Sequence, residues 1–146
     1  MQAGRRRWIA ASVAILGVLL VGIAFVTKSC WNPAGSRQGR VASAFARALV
    51  AGRYDEAHRF LSKKLASEMD VAKLREQYES MVAYGERPAT DVAVVGAMDY
   101  WPDKQPGDVG WAYAAIWGEG FSEAVTVTVA EEDGKDVIRV LEWGRP

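Results

Sequence analysis

The chain has 146 residues, half of them apolar, with one cysteine and one histidine, a length that limits it to a single domain of ordinary size beside any short appendage. Its 18 basic and 18 acidic side chains are unevenly placed: Arg5, Arg6, Arg7, Lys28 and Arg37 precede residue 38 and no acidic residue does, so the remainder carries 13 basic against 18 acidic groups, a net charge of −5. That sign, without a basic stripe, argues against a nucleic-acid partner, while the lone Cys30 excludes an internal disulfide framework and a cysteine-built zinc cluster.

The first predicted element is a membrane anchor. Trp8 to Val26 form 19 residues without a charge, which as a helix reach roughly 28 Å, the depth of a bilayer core. Arg5, Arg6 and Arg7 abut one end and Trp8 sits at the interface, which predicts a cytoplasmic N-terminus and a C-terminal domain outside, in a single-pass arrangement. Lys28, Arg37 and Arg40 on the far flank pull the other way. A cleaved secretory signal is the rival reading, but the apolar run is longer than a typical signal core and no small-x-small site follows it directly. Cys30 also raises lipidation, although Lys28 and Ser29 before it depart from a lipoprotein pattern; an inert thiol or a bridge between two chains is the other reading. The expected organisation is a basic tail at 1–7, an anchor at 8–26, a linker at 27–37 and an extracytoplasmic domain at 38–146.

Three helical stripes come next: Val41, Phe45, Ala48 and Leu49 ending at Gly52; Tyr54, Ala57 and Leu61; and Val71, Leu74, Tyr78, Met81 and Val82, with Gly85 as the expected C-terminal cap. After Pro88 the period changes to two, and β-rich runs at 91–101, 109–117, 121–130 and 136–143 are separated by breaks short enough for consecutive hairpins. Helices followed by an antiparallel meander predict an α+β fold, the helices covering one face of a four-stranded sheet. The segments VASAFARALVAGRYDEAHRFL and VAKLREQYESMVAYG, followed by four strands ending near DVIRVLEW, resemble the nuclear transport factor two-like superfamily, the cystatin-like or ketosteroid-isomerase-like cone, and most of all its small membrane-anchored bacterial members. The resemblance implies a curved sheet wrapped by three helices over the whole of 38–146. It implies no single activity, since that cone hosts isomerases, hydrolases, adaptors and assembly domains.

Little in the sequence points to chemistry. His58 lacks a positioned partner for base catalysis and a second histidine for a metal site. Asp91, Asp99, Tyr100 and Trp101 are the residue types that enzymes of the resembled superfamily place inside the cone, but Asp99 to Asp103 read as turn formers beside Pro102. Gly118-Glu119-Gly120 joins two strands and so lacks the helix N-terminus of a phosphate cradle. Glu131, Glu132 and Asp133 precede Gly134 in an Asp-Gly hairpin and lack the spread of a calcium loop. No catalytic residue, metal ligand or cofactor is assigned.

Hairpin register supplies the binding candidates. A two-residue turn at Asp133-Gly134 sets Val129 opposite Ile138 and Val127 opposite Val140 on the face toward the helices. A two-residue turn within Gly118-Glu119-Gly120 adds Ala112, Ala114 and Ile116 to that face, while a three-residue turn would bury the aromatics instead. The two-residue case turns Trp111, Tyr113 and Trp117 outward, beside half-exposed Thr126 and Thr128, Arg139 and Trp143. Trp111, Tyr113, Trp117 and Trp143 are thus the expected binding residues, for a protein partner or a homodimer through the sheet. The reading is a membrane-tethered binding or assembly domain without catalytic activity; the alternative is a small-molecule enzyme of the ketosteroid-isomerase type.

Overall fold

The computed structural model describes residues 32–145. The expected anchor at 8–26, the expected tail before it and Cys30 lie outside the described residues. Among the described residues no helix is long and apolar enough to cross a membrane.

A 3-10 turn at Pro33–Gly35 leads into α1, Arg37–Val50. It is no free linker: a Cβ added at Gly39 would collide with the Pro33 carbonyl, so the turn lies directly on the helix start. Ser36 caps that start, its hydroxyl accepting from Gly39 N–H at 3.0 Å. Val41, Phe45, Ala48 and Leu49 are buried as their spacing predicts, and Ala42 and Ala46 join them. The helix ends in a Schellman motif, with Gly52 N–H donating to the Leu49 carbonyl and Arg53 N–H to the Ala48 carbonyl. Gly52 takes the left-handed φ of +68° which that ending requires.

Where one helix was expected after Gly52 there are two short ones, α2 at Tyr54–His58 and α3 at Lys63–Glu68, so the described residues hold four α-helices and not three. The break follows from Phe60–Ser62 turning aside to bond a strand: Ile138 N–H donates to the Phe60 carbonyl and Ser62 N–H to the Ile138 carbonyl. Ser62 then caps α3 through its hydroxyl and Leu65 N–H. Helix α4, Val71–Val82, starts at Asp70, whose carboxylate accepts from Lys73 N–H at 2.8 Å. It buries Leu74 and Tyr78. Gly85 is not its left-handed cap. A Cβ there would meet the Phe121 ring at 2.3 Å, so the glycine serves close packing.

Strands β1 (Ala89–Met98), β2 (Asp108–Gly118), β3 (Phe121–Glu132) and β4 (Lys135–Trp143) form an open antiparallel sheet in the order β1-β2-β3-β4. Both hairpins turn on two residues: Gly118 pairs with Phe121, and Glu132 pairs with Lys135. Asp133 and Gly134 have φ of 53° and 74°, the positive pair of a type I′ turn. The helices pack on one face, where Phe45, Leu49, Leu74, Ile116, Val125, Val127, Val129 and Ile138 are fully buried. Leu61 is buried in the same core.

One expected register fails. Val129 faces Ile138, but a break beyond it pairs Val127 with Leu141 and Val140 with Thr128. Arg139 is the extra residue, a bulge that exchanges the two faces for the rest of β4.

Candidate functional site

Alternation along β2 sends Ala112, Ala114 and Ile116 into the core and Trp111, Tyr113 and Trp117 to the opposite face. On that outer face Met98, Trp111, Thr128 and Val140 are cross-strand neighbours, and Gly96, Tyr113, Thr126 and Glu142 form the next row. Trp111 and Tyr113 stack at 6.4 Å between ring centroids. A Cβ added at Gly96 would lie 3.6 Å from the Trp111 ring and 3.8 Å from the Tyr113 Cβ, so the stacked pair rests over a strand position without a side chain. Beside it Met98 and Val95 are about half exposed, Val95 as the extra residue of a break in β1. Thr126 and Thr128 are buried and not half-exposed as expected, each lying between larger cross-strand neighbours.

Trp143 does not belong to this surface. The bulge at Arg139 pairs it with core-facing Val125 and packs it against the hydrophobic core. The structure therefore brings together Trp111 and Tyr113, places Trp117 further along the same face beside Asp91 and Ser122, and separates Trp143 from all three.

A polar group of residues closes the end of the sheet near the start of α1. Buried Gln38 donates through Nε2 to Asp99 at 2.7 Å and lies where Gly110 leaves no Cβ in its way. Asp108 has a side chain fully shielded from solvent and receives both Nε and Nη2 of Arg139, at 2.7 and 2.8 Å. Burial pushes the Asp108 carboxyl up, but the Arg139 hydrogen bonds, the Gln105 N–H and the charges of Arg139 and Lys104 outweigh it and hold the group below the usual carboxylate range. An ionised carboxylate so saturated by donors is a structural anchor, since a general base needs a free lone pair facing substrate.

The other sequence candidates are engaged elsewhere. His58 donates from Nε2 to the Met69 carbonyl at 2.9 Å, fastening α2 to the start of α4. Glu131, Glu132 and Asp133 diverge: the first meets Arg37, the second accepts from Lys63 N–H, and the third meets the Lys63 ammonium. Tyr100 is mostly exposed in the loop after β1. Among the described residues no cluster of metal-ligating side chains forms.

A further feature had no signal in the sequence. Between α4 and the end of β4 runs an open groove of about 500 Å³, lined by Lys73, Glu76, Gln77, Ser80, Met81, Trp143 and Gly144. Among the described residues Gln77 Oε1 and the Trp143 indole N–H, carried by lining residues on its two sides, are withdrawn from water and make no hydrogen bond.

No protein-family model matches the chain, and comparison with the curated proteins finds no match.

Proposed function

We propose that this chain is a membrane-tethered extracytoplasmic binding and assembly domain, attached through residues 8–26 and built on a cone of the nuclear transport factor two-like type. Its binding surface is the outer sheet face carrying Trp111 and Tyr113. The observation that supports this reading most is the division of side chains between the two faces. The helix-facing side is closed by aliphatic and aromatic groups, whereas the outer side holds stacked aromatics flanked by half-exposed Met98 and Val95, with no described helix packed on it. Trp111 and Tyr113 are partly exposed, and the apolar area that they, Met98 and Val95 leave to water contributes more when covered by a partner. A sheet-on-sheet pairing of two copies fits best, because the surface offers both a ridge, Trp111 and Tyr113, and shallow ground, Ala93, Gly96 and Ala115, and a two-fold axis sets one against the other. An isomerase-type activity calls for carboxylates inside the cone, but Asp91 is exposed, Asp99 is taken up by Gln38 at the sheet end, and Asp108 is bound by Arg139.

The test uses the full chain in detergent micelles. Wild type should self-associate in sedimentation, and Trp111→Ala with Tyr113→Ala should be monomeric with an unchanged melting temperature. Self-association that survives the double substitution would overturn the assignment of the surface. The topology is checked separately: protease added outside intact cells should remove the domain and leave a membrane-bound stub.

A further inference from the structure

A second binding site emerges at the free edge of β4. The lower part of that edge is occupied, since Ile138 exchanges hydrogen bonds with Phe60 and Ser62. Further along, Gly144 N–H donates to the Ala124 carbonyl. Antiparallel alternation then turns the backbone of Glu142 and Val140 toward β3 and that of Leu141 and Trp143 toward the open edge. Among the described residues no backbone group bonds Leu141 or Trp143 on that side. The groove against α4 runs beside this stretch, and two of its lining residues, one on each side, carry a buried unbonded acceptor, Gln77 Oε1, and a buried unbonded donor, the Trp143 indole N–H. Buried polar atoms without partners are uncommon in folded proteins and destabilising where they occur. Two of opposite kind on the two sides of one groove, next to an unpaired strand edge, suit a ligand that presents donors and acceptors in alternation. A polypeptide backbone does so.

We propose that this groove takes an extended peptide segment of another protein, added alongside Leu141–Trp143 as a short fifth strand, with one of its carbonyls accepting from the Trp143 indole and one of its N–H groups donating to Gln77. The ladder supplies affinity independent of sequence, and α4 forms the opposite wall. Lys73 and Glu76 line the rim with opposite charges, so the groove selects for extended backbone more than for net charge. Because both orphan atoms are closed off from water, entry requires the flexible Gln77 side chain to turn toward the incoming strand and the indole N–H to be uncovered as α4 and β4 part around it. This site is separate from the outer face carrying Trp111 and Tyr113, and neither proposal depends on the other.

The probe is a phage-displayed library of random linear peptides, selected against the full chain in detergent micelles. Selected peptides, resynthesised, should bind wild type and the Trp111→Ala, Tyr113→Ala variant equally. They should weaken about tenfold toward Trp143→Phe, which deletes the indole N–H together with part of the ring, and toward Gln77→Met, which deletes the acceptor at similar side-chain length. N-methylation of a single backbone amide in the peptide should weaken binding to the same degree. Trp143→Phe also removes ring atoms packed on the core and should melt modestly lower for that reason, whereas Gln77→Met removes an unbonded acceptor at similar side-chain length and should melt no lower than wild type; a fall in Gln77→Met would show an internal role for that amide and would count against the site. Failure to enrich any peptide, affinity unmoved by N-methylation or by Trp143→Phe, or binding lost with Trp111 and Tyr113 would each overturn the proposal. So would loss of self-association in Trp143→Phe, which would make a second copy the occupant of this edge.

Discussion

At Asp108 three donors converge on one shielded carboxylate: Nε and Nη2 of Arg139 and the backbone N–H of Gln105. Its folded pKa lies below the ordinary value. The stabilisation it provides is therefore complete above the unfolded pKa of about 3.9 and is lost as pH falls through the lower folded value. Denaturant titrations should show wild type losing stability below about pH 4 more steeply than Asp108→Asn. At neutral pH that variant should be less stable by about 1–3 kcal/mol, from weakened charge-assisted hydrogen bonds. In the sequence Asp108 reads only as a turn residue after Pro106 and Gly107, because the guanidinium that defines it arrives from β4 through folding alone. Gly85 was misread for the same reason: a glycine after a helix suggests a cap, and the ring of Phe121 that requires it is 36 positions away. Leu74, by contrast, was legible as core, since local periodicity alone determines which side of a helix it occupies; Leu61 is core as well, but through its bridge to Ile138 and not through a helix face.

Among the elements, the hairpin turns were the most legible, because two-residue loops with Gly at the positive-φ position are a local steric solution. Gly134, at φ +74°, has open space around it. Gly134→Ala should thus cost about 1 kcal/mol through backbone strain alone, with no clash, as read from chemical denaturation. Asp70 makes a complementary test. Its carboxylate caps α4, and Asp70→Ala should cost about 1 kcal/mol and increase amide exchange in the first turn of that helix. The split of the second predicted helix into α2 and α3 was not legible. Phe60–Ser62 leave the helical path to bond Ile138, a partner whose existence depends on β4 having already found its place. The bulges in β1 and β4 were hidden likewise, since they contain no glycine at the extra residue, Val95 or Arg139, to mark them.

At the scale of the domain, an apolar core among the described residues joins α1, α4 and the sheet, and Leu74 is fully buried within it. Leu74→Ala should destabilise the domain by about 2–5 kcal/mol in a denaturant titration. A loss under about 0.5 kcal/mol would contradict that packing. The α+β architecture followed from a change of hydrophobic period near Pro88, a property of the chain as a whole. Which face of the last strand meets the helices did not, and that depends on one residue. Up to Ile138 the strand is written in one phase, odd positions outward and even positions inward; past Arg139 the phase is reversed, and Leu141 and Trp143 face inward. The strand thus has two reading frames joined at a single insertion. Deleting Arg139 would join the two frames into one regular strand with Leu141 and Trp143 still facing the core and Glu142 still outside, whereas drawing Arg139 into the ladder as an ordinary residue would turn Leu141 and Trp143 out and bring Glu142 in. The pairing of this one residue is therefore equivalent to a reading frame in the fold: looping it out or counting it leaves the chain chemistry unchanged, and counting it inverts the meaning of everything that follows.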